Sequence, residues 1–137
     1  MRIFAISDLH LSFQVDKPMD IFGPAWQGHP ERIKKAWIES VGTDDIVLIP
    51  GDISWAMRLN EAVEDFAFLG VLPGTKVIIK GNHDYWWPSL SKVKQFVPPS
   101  VIPLQNTSIV FGNIGIAGSR LWIDPELELE SYTKEDR

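Results

Sequence analysis

The chain has 137 residues and a mass of 15.5 kDa, the size of one domain. Hydrophobic residues make up 45% and charged residues 23%, which excludes disordered and collagen-like chains, and the lack of cysteine excludes disulfide scaffolds, thiolate metal sites and cysteine nucleophiles. The formal charge is −5; residues 124–137 hold six acids and two bases, leaving 12 acids and 11 bases in residues 1–123, so no basic nucleic-acid footprint is present.

Arg2 to Ser7 is an almost unbroken apolar and β-branched run, read as a short buried strand ending at Asp8-Leu9-His10. It is too short for a signal-peptide core, and no apolar run reaches the roughly 18 residues that span a bilayer. The simplest compartment is the cytoplasm. Pro18, Gly23, Pro24 and Gly28 mark residues 11–29 as a long loop. Pro30 suits a first helical position, and Ile33, Ala36, Trp37 and Val41 recur at helical spacing until Gly42. Residues 46–49 are a second buried strand, followed by Pro50-Gly51-Asp52. A helix is predicted over about 59–69, with Ala62, Val63, Phe66 and Leu69 on one face. Lys76 to Lys80 is a third strand, followed by Gly81-Asn82-His83-Asp84. A short helix is expected over 89–96, with Leu90, Val93 and Phe96 inward, and Pro98, Pro99 and Pro103 break the chain after it. Strands 108–111 and 114–117 flank Gly112-Asn113, a two-residue hairpin signal. Alternating strands and helices predict a parallel sheet.

Three predicted strands therefore end in polar, metal-competent clusters. Asp8 and Asp52 are 44 residues apart, and Asp52 and Asn82 are 30 apart, spacings that fit helical crossovers. Ligands of an open parallel sheet bind outside the carboxyl ends of its strands, so the clusters should converge on one crevice. Carboxylate, amide and imidazole donors suit Mn²⁺, Fe²⁺ or Zn²⁺. Asp8 and His10, two apart beyond an extended strand, can point to the same side. Gly51 and Gly81 permit tight exits from their strands, and a carboxylate such as Asp52 can bridge two cations.

Asp8-x-His10, Gly51-Asp52 and Gly81-Asn82-His83-Asp84, in this order, resemble the first three signature motifs of the calcineurin-like metallophosphoesterases, over residues 1 to about 123. The resemblance implies an α/β fold, a metallophosphoesterase-like β-sandwich core flanked by helices. It implies hydrolysis of phosphomonoesters or phosphodiesters at a site of two divalent ions, Mn favoured over Fe or Zn. Asp8 and His10 would bind the first metal, Asp52 would bridge, and Asn82 would bind the second. His83 would lie beside the leaving group, with Asp84 orienting its imidazole. The family's later lone His and Gly-His-x-His motif have no counterpart, because no histidine follows His83. Residues 1–137 are therefore expected to be the N-terminal portion of a single domain, incomplete at the C-terminus. Residues 124–137 would be an acidic tail or a cut element.

Each motif has a plainer reading. Asp8 and His10 could form a strand-end turn, Asp52 a cap and Asn82 a left-handed turn; His83 and Asp84 could be a surface pair. Their joint occurrence favours the ligand and catalytic readings. His29 reads as a loop residue. Trp55, Trp86 and Trp87 read equally as crevice walls or packing, and Arg58 and Arg120 as surface residues rather than phosphoryl contacts. Glu126, Glu128 and Glu130 carry no assigned chemistry. A phosphate-ester substrate is expected, with no membrane partner. The competing expectation is an inactive fragment that binds one metal weakly or serves as an interaction module. Exposed sheet edges would favour self-association.

Overall fold

The computed structural model describes residues 1–121; the acidic segment 124–137 lies outside the described residues. Four parallel strands form one sheet in the order β1 (Ile3–Ala5), β2 (Ile46–Ile49), β3 (Thr75–Ile78) and β4 (Val101–Pro103). The chain crosses between them through α1 (His29–Ser40), α2 (Val63–Val71) and α3 (Leu90–Phe96). A two-stranded antiparallel ribbon, β5 (Thr107–Phe111) and β6 (Ile114–Gly118), closes at Gly112-Asn113 as the sequence predicts.

The strand period of two sorts the sheet into two faces. Phe4, Val47, Ile49, Ile78 and Val101 meet Trp37 of α1, Phe66 and Leu69 of α2 and Val93 of α3. Ile46, Val77 and Leu104 form the other core, against Ile109, Phe111 and Ile116 of the ribbon. Helices on one face and a ribbon on the other give an α/β fold in layers, consistent with the expected metallophosphoesterase class.

Several elements differ from expectation. The first strand is shorter and, among the described residues, lies at the edge of the sheet, where Ile3 is 43% exposed rather than buried. The predicted helix over 59–69 is a 3-10 turn (Leu59–Glu61) followed by α2. Ala62, Phe66 and Leu69 stay buried, but Val63 is 48% exposed because it lies about 100° around the axis from Ala62. Strand β4 was hidden by its prolines. Among the described residues it pairs only with β3, and an edge strand tolerates Pro103.

Lys76 of β3 is fully buried on the helix side. Its Nζ donates to the carbonyls of Leu72 (2.6 Å) and Gly74 (2.8 Å), just past the end of α2. Burial lowers its pKa from 10.5 to about 8. The folded state thus favours the neutral amine, whereas the unfolded chain keeps it charged up to its ordinary pKa. Between pH 8 and 10.5 the unfolded state binds more protons, so the penalty of the buried charge is present below pH 8 and relieved as pH rises to 10.5. Relative to Lys76→Met, the wild type should gain stability across that window, by at most on the order of 3 kcal/mol. Denaturant melts of both proteins at several pH values check this; a constant difference would mean the ammonium is solvated.

Candidate metal centre

The pairing of β1 with β2 continues beyond both strands, through the motifs themselves. Asp8 N donates to Gly51 O (3.2 Å), His10 N to Asp52 O (3.0 Å) and Leu11 N to Ile53 O (2.9 Å). The first two clusters therefore run side by side. Asp8, His10 and Asp52 all adopt positive φ, at 58°, 45° and 52°. Non-glycine residues rarely do so, and such strain gathers at functional sites. The extended geometry expected for Asp8 and His10 is thus replaced by left-handed turns, and the left-handed turn considered for Asn82 belongs to Asp52 instead.

The third cluster docks on the second through glycine. A Cβ on Gly81 would stand 2.1 Å from Asp52 Oδ1 and 2.3 Å from its amide nitrogen. A Cβ on Gly51 (φ 102°) would stand 2.6 Å from Gly81 Cα. Only two bare backbones fit this approach. His83 then reaches Asp52 twice, its amide donating to Oδ1 (3.0 Å) and its Nδ1 to Oδ2 (2.9 Å).

Asp84 does not orient the His83 ring. It is fully buried beneath the site, and its carboxylate accepts five hydrogen bonds. Oδ2 receives the amides of Asp52 (2.8 Å) and Gly81 (2.8 Å). Oδ1 receives those of Ile53 (2.8 Å) and Ser54 (3.2 Å) and the Trp86 indole (2.9 Å). Burial pushes the Asp84 carboxyl up, against the pull of these hydrogen bonds. The correction follows from direction: the acid after His83 points into the sheet end and clamps two loops, while Asp52 holds the imidazole.

His10, Asp52 and His83 present ligand atoms that all lie within 4.8 Å of one another. His10 Nε2 stands 3.7 Å from Asp8 Oδ1 and 3.8 Å from Asp52 Oδ2. These separations are too long for hydrogen bonds but close to the roughly 3–3.5 Å between neighbouring ligands of one cation. His10 Nδ1 is buried with no hydrogen-bond partner among the described residues. With its nitrogen turned inward, the Asn82 amide donates to both Asp52 oxygens at 3.2 and 3.1 Å. An amide oxygen facing that carboxylate would be repelled unless a cation lay between them. The donor set therefore fits a divalent ion. Burial lowers the His10 pKa, against the charges of Asp52 and Asp8, which keeps the ring neutral and able to ligate. Burial alone would raise Asp52, but the hydrogen bonds and charges of His83 and His10 outweigh it and hold the carboxyl below its usual value. Asp8 is the exposed member, 57% accessible and accepting a hydrogen bond from the Ser7 hydroxyl.

Aromatic rings frame the two imidazoles. Trp55 stacks on His10 at 4.7 Å and leans on His83 at 4.8 Å. Trp26 meets the edge of His10 at 6.2 Å. His29, read as a loop residue, is the buried first residue of α1, and its ring lies between Leu9 O (2.9 Å) and Trp26 O (3.2 Å). It pins the carbonyl between Asp8 and His10, a task that the flanking glycines and prolines concealed. Trp86 and Trp87 are core residues, and Trp55 is the crevice wall. Arg58 flanks a surface turn, whereas Arg120 lines the cleft that holds Asp8, Asp52 and Asn82.

A model of the calcineurin-like phosphoesterase family matches residues 1–136. The Gene 66 protein of Mycobacterium phage D29 is 35% identical over 84 residues, 61% of this chain and 40% of that protein. The Gene 66 protein of Mycobacterium phage L5 is 33% identical over 78 residues, 57% of this chain and 37% of its own length. This chain thus aligns with about two fifths of each relative. A solved protein of unknown function from Aquifex aeolicus shares the fold over 82% of this chain and 56% of its own, with a TM-score of 0.54 at 21% identity.

Proposed function

The chain belongs to the calcineurin-like phosphoesterase family, and from that premise we propose that it carries the metal-binding half of a phosphohydrolase site acting on phosphomonoesters or phosphodiesters. The observation that supports this most is the meeting of Asp8, His10, Asp52, Asn82 and His83 at the carboxyl ends of three parallel strands. Asp8, His10, Asp52 and Asn82 would hold the metal, with Mn²⁺ the first ion to test. Bound divalent cations polarise a phosphoryl group and bring the pKa of water toward neutrality. The residues do the rest. Asp52 stays ionised because His83 and His10 face it. His83, with Nδ1 on Asp52 and its ring 36% exposed, directs its other nitrogen to the leaving oxygen. Trp55 keeps both imidazoles in place and walls one side against water.

A second reading has its own support: the described residues hold one cluster of three His, Asp or Glu groups, enough for one ion. On that reading the chain binds a single cation and is inactive alone. Calorimetric titration of metal-free protein with Mn²⁺, alongside hydrolysis of p-nitrophenyl phosphate and its bis ester, separates the two. Two bound ions with turnover support the hydrolase; one weak ion without turnover supports the second reading. Asp52→Ala should weaken Mn²⁺ by about 100-fold or more and remove turnover together. Turnover that survives it sinks the assignment. His83→Ala should spare metal and slow hydrolysis, most for poor leaving groups. Loss of metal there would move His83 among the ligands.

A further inference from the structure

Asp65 of α2 is fully buried and is not one of the ligand-bearing residues, yet it reaches two of the loops that carry them. Its Oδ1 accepts the amide of Phe13 (3.0 Å), two residues beyond Leu11. Its Oδ2 accepts the hydroxyl of Ser54. Ser54 is also fully buried, and its Oγ accepts the Ala56 amide at 3.1 Å. The hydroxyl thus closes a turn around Trp55, and Asp65 holds the hydroxyl. The Trp55 amide donates to Leu11 O at 2.9 Å, so the backbones of the first and second motif loops are both tied to one carboxylate. Within that frame the Trp55 indole lies 4.7 Å from the His10 imidazole, with 22° between the planes.

Packing does not ask for a carboxylate at this place. Phe66 and Leu69 supply the apolar face of α2. Burial pushes the Asp65 carboxyl up, against the pull of the Ser54 and Phe13 hydrogen bonds. A buried polar group costs stability unless it is bonded. What the carboxylate adds is two acceptors in fixed places, one for each loop.

We propose that Asp65 is a positioning residue for the metal centre: through Ser54 and Phe13 it fixes the turn that sets Trp55 against His10, and so the direction from which His10 meets an ion. The inference rests on the metal-centre reading for the ion, whereas the placing of the two rings is independent of it.

Proton NMR and calorimetry on the 137-residue chain test it. In the metal-free protein the Trp55 ring current displaces the His10 ring-proton resonances, and Trp55→Ala gives their positions without it. Asp65→Ala and Ser54→Ala should move them toward those positions and weaken Mn²⁺ by about tenfold, the low end for groups that orient a ligand. Asp65→Asn keeps an oxygen for the Phe13 amide and sets its NH₂ against the Ser54 oxygen, so it should recover part of both effects. Val93→Ala opens a cavity in the core at α3; it should lower stability and leave the resonances and the Mn²⁺ affinity as in wild type. Where Asp65→Ala does not fold, Ser54→Ala, which removes one hydroxyl, decides the same point. His10 resonances at their wild-type positions in the folded Asp65 or Ser54 variants, or displaced equally in Val93→Ala, overturn the proposal. Displaced resonances with unchanged Mn²⁺ affinity overturn it too. If the wild type binds no Mn²⁺, the metal-centre reading fails separately, and the ring-proton positions alone decide the role of Asp65.

Discussion

Asp84→Ala should cost about 3–5 kcal/mol of stability, a large fraction of the roughly 5–15 kcal/mol that domains have, and should abolish metal binding with it. The substitution strands four backbone amides and one indole N–H in a fully buried place. Each orphaned donor keeps its desolvation cost with nothing returned. The amides of Asp52, Ile53 and Ser54 belong to the second motif loop and that of Gly81 to the third. The loops lose their common anchor, and Asp52 loses its left-handed turn. Asp84→Asn keeps the shape but sets an amide NH₂ against at least two of the five donors, so it should fall in the same direction. Urea denaturation followed by circular dichroism, with Mn²⁺ titration of whatever remains folded, checks both. An orienting partner of His83 would give another result: stability within about 1 kcal/mol of wild type and a shifted pH–rate profile.

Gly81→Ala should be the most damaging glycine-to-alanine change among the described residues, since its Cβ would make the shortest contact. The added carbon would meet Asp52 Oδ1 at 2.1 Å and Asp52 N at 2.3 Å, and backbone cannot rotate away as a flexible side chain would. The third loop must back off. That opens the His83 hydrogen bonds to Asp52 and parts Asn82 from the same carboxylate. A stability loss of about 1–3 kcal/mol is expected from overpacking. Mn²⁺ affinity should fall further than stability, because a ligand cluster tolerates little displacement. Gly115→Ala is the matched control: no atom lies within 4 Å of its Cβ position, and its effect should be within about 0.5 kcal/mol. Equal Mn²⁺ affinity in the two variants would mean that the Gly81 contact does not position the site.

Much of the framework was legible because its signals are local. β2 is Ile46–Ile49 as its unbroken apolar run predicts, and α3 ends at Phe96 as its spacing predicts. Ser89 caps α3 by accepting from Lys92 N. Burial of Ala62, Phe66 and Leu69 follows from helical period, and Val63 fails because its place on the helix puts it outside. β4 was illegible for a different reason. Val101–Pro103 is a strand only because β3 lies beside it, and prolines usually signal the opposite. The meeting of the three motifs follows from topology, since parallel strands place their carboxyl ends together.

By itself the sequence determined that three apolar strands end in carboxylate, imidazole and amide groups, and that glycines precede Asp52 and Asn82. Those are properties of neighbours along the chain, set by period, branching and turn chemistry. The tertiary structure decided which group faces which. It turned Asp84 inward to clamp two loops, gave the His83 ring to Asp52 and set His29 under the first motif. A carboxylate or imidazole finds its partner through space, among residues tens of positions away. Which of several competing hydrogen bonds it makes depends on backbone turns a few ångströms across, and no periodicity in the chain encodes them.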